Sequence, residues 1–166
     1  MDAKINQFFD SIGSFFSGGD QIPWCDRDII VGCEREVAEA SKLSGEEKQK
    51  DESLMRLSWA LVHSRQQDDV HRGIAMLEST KSSTKESHRE NIYLQAVGFY
   101  RTGEYSRARQ LVDQCLEMTL DWRQAMVLKK TIEDKIARDG VIGIGITATA
   151  VGLIAGGIAA ALARKK

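Results

Sequence analysis

Between residues 20 and 140, apolar positions recur at i, i+3, i+4 and i+7 within segments separated by polar or turn-forming stretches. This is the spacing of amphipathic helices that turn one face to a core. Asp26 or Asp28 can cap a first helix carrying Ile30, Cys33, Val37 and Ala40. The charged run from Ser44 to Glu52 reads as a solvated loop or first turn, before a second helix with Leu54, Leu57, Trp59, Ala60 and Leu61. Asp68 or Asp69 can cap a third with Val70, Gly73, Ile74 and Leu77. After the polar tract Ser79 to Glu90, a fourth helix carries Tyr93, Ala96, Val97 and Tyr100, and Thr102-Gly103 breaks it. Tyr105, Ala108, Val112 and Cys115 mark a fifth helix. Ala125, Leu128, Ile132 and Ile136 mark a sixth, from Arg123 to about Arg138. No segment alternates convincingly with period 2, so the predicted fold class is all-α, with about six helices.

The two ends are patterned differently. At the start, Ile5, Phe8, Phe9, Ile12, Phe15 and Phe16 line one helical face, so residues 1–20 read as an amphipathic arm. Asp2 and Asp10 interrupt that stretch, which lacks both the apolar run of a signal peptide and the Arg-rich face of a transit peptide. At the other end, Val141 to Ala163 are 23 residues without a charge. As a helix they reach about 34 Å, against a hydrocarbon core of about 30 Å. Lys135 and Arg138 before them, and Arg164, Lys165 and Lys166 in the basic tail 164–166, can reach headgroups. The segment therefore reads as a transmembrane helix. With three residues after it, insertion is expected after synthesis, which makes it a tail anchor and keeps residues 21–140 in the cytosol. Gly143, Gly145 and Ala148 match a dinucleotide-binding pattern, but no strand precedes them and no acid follows, so the match is spurious. Gly152 and Gly156 instead form a G-x-x-x-G face on which two spans can pack, giving a homo-oligomer as one option.

Charge and cysteine usage narrow the functional classes. Residues 1–140 hold 20 basic and 24 acidic side chains, a net of −4, without the basic clustering that phosphate backbones require. Nucleic acid is therefore not an expected partner. Cys25, Cys33 and Cys115 are odd in number and form no C-x-x-C pair, which argues against a disulfide framework or a zinc site and favours buried thiols in a reducing compartment. His63, His71 and His88 have no Ser, Cys or carboxylate partner in a catalytic spacing. The Asp68-Asp69 pair fits a helix start better than acid–base work. The sequence offers no candidate for a catalytic residue, cofactor or metal.

The helices also repeat. Ala60 and Ala96 lie 36 residues apart, and Val70, Gly73 and Leu77 are answered by Tyr105, Ala108 and Val112 at an offset of 35. A period near 34 with small residues at helix crossings is the tetratricopeptide signature. His63 stands where an aromatic is usual, and Leu120 where the second unit customarily ends in Pro. The first helix of each pair should line a concave face, formed by Leu54, Leu57, Leu61, Ser64 and Arg65, then Glu90, Tyr93, Val97, Tyr100 and Arg101. Tyr93 and Val97 occupy positions where a carboxylate clamp would need Lys and Asn. A groove so apolar should not stand open in water. The arm is the obvious cover, and the two rival readings are that its Phe face adheres to a membrane surface or only pads the domain.

Trp59-Ala-Leu-Val-His-Ser-Arg65, Asp68 to Glu78, Tyr93 to Arg101 with Glu104-Tyr105, and Lys135 to Gly140 carry a resemblance that extends over nearly the whole chain. In these stretches the sequence resembles the mitochondrial fission 1 family, and the long Phe-rich arm looks like its plant branch. The resemblance implies a non-enzymatic adaptor on the cytosolic face of the mitochondrial outer membrane and of peroxisomes. It implies that the adaptor promotes division by gathering a dynamin-related GTPase, directly or through bridging adaptors. The alternative is a membrane-tethered factor that self-associates or acts at contact sites without recruiting the GTPase.

Overall fold

A computed structural model describes residues 3, 6, 7, 22–42, 47–82 and 84–140. The apolar arm positions Ile5, Phe8, Phe9, Ile12, Phe15 and Phe16, and the span Val141 to Ala163 with Gly152 and Gly156, lie outside these residues. The chain divides into two units, one ending at Ile132 and one beginning at Glu133. The first contains α1 (Arg27–Ala40), α2 (Glu47–Val62), α3 (Gln67–Ser79), α4 (Lys85–Thr102) and α5 (Tyr105–Met118). It also contains α6, the helical residues 123–132; in the second unit, residues 133–140 are helical. Among the described residues, no helix is long and apolar enough to cross a membrane.

The helices α1 to α5 pack in succession, α1 on α2, α2 on α3, α3 on α4 and α4 on α5, and α2 also touches α4. That additional pairing brings together the first helices of two consecutive helix pairs, as the repeat predicts. Small residues make the crossings tight: Ala60, Ala96 and Ala108 are fully buried. A Cβ on Gly73 would lie 2.9 Å from Leu61 Cβ, and one on Gly98 only 2.5 Å from Ile74 Cγ1. The α2–α3 and α3–α4 contacts therefore each depend on a missing side chain.

Local signals define the ends of α4. Thr84 Oγ1 accepts the Ser87 N–H at 3.1 Å, satisfying one of the unpaired donors of the first turn. At the far end, Gly103 adopts φ +85°, its N–H donates to the Tyr100 carbonyl and the Glu104 N–H donates to Phe99. The helix starts were less legible. Asp26 occupies the N-cap position of α1 without making a side-chain cap bond. The expected Asp68 or Asp69 cap of α3 is corrected: the helix begins at Gln67 and both carboxylates lie in its first turn, where negative charge suits the helix dipole. The charged run expected as a loop or first turn is helical from Glu47 to Glu52.

Candidate docking groove

The expected lining residues from α2 and α4 divide by burial. Arg65 and Glu90 are exposed, Leu54, Tyr100 and Arg101 are half-buried, and Leu57, Leu61, Ser64, Tyr93 and Val97 are buried. Leu57 and Leu61 share a core cluster with Cys25, Ile30, Cys33 and Ala60, against which Ile29, Val37 and Met76 pack. Their helical spacing marks an apolar face correctly, but much of that face supports α1 and the chain leading into it. Tyr93 packs against Trp122 at the entrance to α6, with ring centres 5.0 Å apart. Burial raises its hydroxyl above the ordinary tyrosine range. These residues are corrected from open lining to packed supports, leaving Leu54, Arg65, Glu90, Tyr100 and Arg101 with exposed surface.

Residues 22–25 lie across the ends of α2 and α4. Ile22-Pro23-Trp24-Cys25 contains the chain's one proline, which biases the residue before it toward extended backbone. The Cys25 N–H donates to the His63 carbonyl at 2.8 Å, and Cys25 forms a parallel bridge with Ser64. Arg101 Nη2 donates to the carbonyls of Ile22 at 3.1 Å and Pro23 at 2.9 Å. The guanidinium carbons of Arg101 and Arg65 lie 3.4 Å and 5.1 Å from the centre of the Trp24 ring. Burial, with Arg65 adding repulsion and the neighbouring Tyr100 opposing the shift, lowers Arg101 to about 10, so it remains cationic at neutral pH. Trp24 was not anticipated as a functional residue. Its signal was an aromatic directly after the lone proline, just ahead of the first helix.

Beside this strap is a cleft of about 500 Å³ lined by Cys25, Asp26, Arg27, Ser64, Arg65, Gln66, Asp68 and Asp69. Asp69 is buried at its base, accepting from Ser64 Oγ at 2.8 Å and from Arg27 Nη1 at 3.1 Å. Its carboxylate thus joins the start of α1 to the start of α3. His63 is 2 % exposed and stacks on Trp59 with ring centres 3.6 Å apart. Its Nδ1 lies 2.8 Å from the Trp59 carbonyl, which can only accept, so Nδ1 carries the proton. Burial lowers its pKa to about 3, against a weaker opposing effect of that bond, keeping the ring neutral. The described geometry gives His63 a packing role. All three cysteines are buried and free of disulfides. Burial pushes Cys25 and Cys115 to about 12 and Cys33 to about 11, far from a reactive thiolate. Among the described residues, no group of His, Cys, Asp and Glu is placed to hold a metal.

The sequence is similar to two families of known repeats. Residues 52–80 match the Fis1 N-terminal tetratricopeptide repeat, and residues 89–141 match the Fis1 C-terminal tetratricopeptide repeat. Mitochondrial fission 1 protein A of Arabidopsis thaliana is 70% identical over 171 residues, covering 100% of both chains. Mitochondrial fission 1 protein B of the same plant is 52% identical over 171 residues, covering 99% of each. Yeast Fis1, solved in complex with an Mdv1 fragment, overlays with a TM-score of 0.60 at 24% identity, covering 74% of this chain and 92% of that one. At that identity, the overlay speaks to the fold alone.

Proposed function

This chain belongs to the mitochondrial fission 1 family, and from that membership we propose that it is a non-enzymatic, tail-anchored adaptor for organelle division. It gathers a dynamin-related GTPase, directly or through a bridging adaptor, at the mitochondrial outer membrane and on peroxisomes. Residues 21–140 face the cytosol and residues 141–163 hold the chain in the bilayer. The full-length similarity to a mitochondrial fission 1 protein carries this reading. The two stacked helix pairs supply a suitable scaffold, and the Mdv1 complex of the yeast relative offers a precedent for partner binding.

Leu54, Arg65, Glu90, Tyr100 and Arg101 supply the accessible part of the docking face, with the buried members of the set beneath it. The Phe-rich face of residues 5 to 16 covers this groove and regulates access to it. Co-precipitation of the GTPase with the intact chain and with a chain cut after Gly140 tests the reading. An adaptor keeps its partner when the anchor is removed; loss of the partner on cutting favours self-association of arm and anchor instead. Removing residues 1 to 18 tests the cover separately. Tighter partner binding is expected, and unchanged binding rules the cover out.

A further inference from the structure

Each helix pair in a stack buries its faces on the pairs to either side, so the end helices carry the surfaces that the stack itself leaves uncovered. α1 packs on α2 as α3 packs on α4, which puts α1 in the place of a second helix without its first. α6 follows α5, reaching it through Lys129 Nζ on Asp113 at 2.7 Å and reaching α4 through Trp122, at its entrance, on Tyr93. It stands in the place of a first helix whose second is missing among the described residues. The two ends are therefore complementary halves of one helix pair.

The exposed side chains point the same way. Among the described residues, the large apolar side chains that face solvent are Val31, Met118, Leu120, Met126 and Trp24, the last lying against Arg65 and Arg101. Helices α2, α3 and α4 expose none of them. Val31 is 50% exposed on α1, and Met126 is 45% exposed on α6, with Met118 and Leu120 just ahead of it. An apolar patch at the end of a stack marks a contact, and methionine adapts its shape to whatever faces it. The charges are opposite in sign as well. α1 carries Arg27 and Arg35 against Asp28, Glu34, Glu36 and Glu39, a net of −2, whereas residues 123–132 carry Arg123, Lys129 and Lys130 without an acid, a net of +3. Ion pairs with other helices engage Arg27, Glu34, Glu36 and Lys129. Asp28, Arg35 and Glu39 are exposed on α1, and Arg123 and Lys130 on α6, so the difference in sign persists at the surface.

We propose that α6 of one copy of this chain packs antiparallel on α1 of a second copy, Met126 against Val31, completing a helix pair across the junction. Within one turn of that contact Lys130 meets Asp28, and Arg123 lies between Glu34 and Arg35. Opposite charge at the rim fixes which end meets which. Because the two surfaces differ, the contact is heterologous: each copy keeps one unused end, and copies add in a row instead of closing as a symmetric pair. A row sets several grooves side by side and, on the docking reading given above, holds a multimeric partner by more than one contact.

Cross-linking tests the contact. Two forms of the purified full-length chain, Val31→Cys and Met126→Cys, carry different affinity tags and are mixed with a short bismaleimide. The native Cys25, Cys33 and Cys115 are buried and label slowly with maleimides, so the parent chain sets the background. Slow Cys115 labelling in every variant checks that the fold is kept. Cross-links between the two forms should exceed those within either form at least tenfold, and a chain with both substitutions should give a ladder of products beyond the dimer. Lys130→Glu in the Met126→Cys form should reduce the mixed product at least fivefold, and Asp28→Lys in the Val31→Cys form should restore it. Cross-links mainly between like forms, as a symmetric dimer or paired spans would give, would overturn the proposal. So would mixed yields at the parent background, a ladder that ends at the dimer, or a mixed product indifferent to Lys130→Glu or not restored by Asp28→Lys. The mixture contains no GTPase, so failure here is distinct from failure of the docking reading, which has its own test.

Discussion

The two ends of α4 use similar chemistry for different purposes. Near its start, Arg89 lies 4.8 Å from the centre of the Trp122 ring and donates to Thr119 Oγ1 at 3.0 Å. Near its end, Arg101 lies over Trp24 and donates to two main-chain carbonyls. In both arginines Nε is buried without a hydrogen-bond partner among the described residues, so both trade a donor for contact with a ring. The Arg89 end joins α4 to the turn before α6, where Tyr93 also packs. The Arg101 end instead holds a strap 78 to 79 residues away in sequence, just ahead of α1. One arrangement completes the repeat stack and the other clasps the strap at residues 22–25 to it. The first should therefore govern stability and the second local access.

Truncating the stack end should have the largest effect. Tyr93→Ala is expected to cost about 3–4 kcal/mol in denaturant unfolding, since a buried aromatic leaves a cavity behind. The folded fraction should still label slowly at Cys25. Rapid Cys25 labelling in that variant would show that the ends are coupled and break the comparison. Between the two ends, Gly98→Val should cost about 3 kcal/mol by forcing α3 and α4 apart at Ile74. Equilibrium unfolding measures this, and a near-neutral result would mean the crossing can give way.

Acid should act through His63. The unfolded side chain takes up a proton near pH 6.5, whereas the folded one resists until about 3. Stability from this group is therefore full above pH 6.5 and falls through the window from 6.5 to 3, by up to about 1.4 kcal/mol per unit. Unfolding curves across that range should lose this component in His63→Gln; an unchanged slope would assign the loss to other groups. Trp24→Ala should cost only about 1 kcal/mol, because the ring is 44% exposed and its energy comes mainly from the two arginines. The difference between that small cost and a large rise in Cys25 labelling sharpens the contrast between the ends. Last, Glu34→Gln should change stability by less than about 0.5 kcal/mol, since its ion pair with Arg72 is partly solvated on both sides.

Much of this architecture was legible because its causes are local. Thr102-Gly103 ends α4 since only a residue tolerant of positive φ suits that turn, and Ala60, Gly73, Ala96 and Ala108 mark the crossings through their size. The groove was harder, because periodicity says that Leu57, Leu61 and Val97 share faces without saying what those faces meet. α1 and Cys25 claim Leu57 and Leu61, and Trp122 claims Tyr93, through contacts distant in sequence. Asp69 was misread for the same reason: its ion pair with Arg27 spans 42 residues and leaves no local trace. Arg65 and Arg101 were found by repeat position, but their shared ring was not, since Trp24 lies outside both repeats.

The central claim is that the concave face docks the division machinery. It is tested most directly by co-sedimenting a dynamin-related GTPase, with any bridging adaptor supplied, on vesicles carrying the full chain or its Leu54→Asp/Tyr100→Asp variant. At least a tenfold loss of captured GTPase is expected, with helical content and slow Cys115 labelling retained. Capture equal to that of the parent chain would contradict the account.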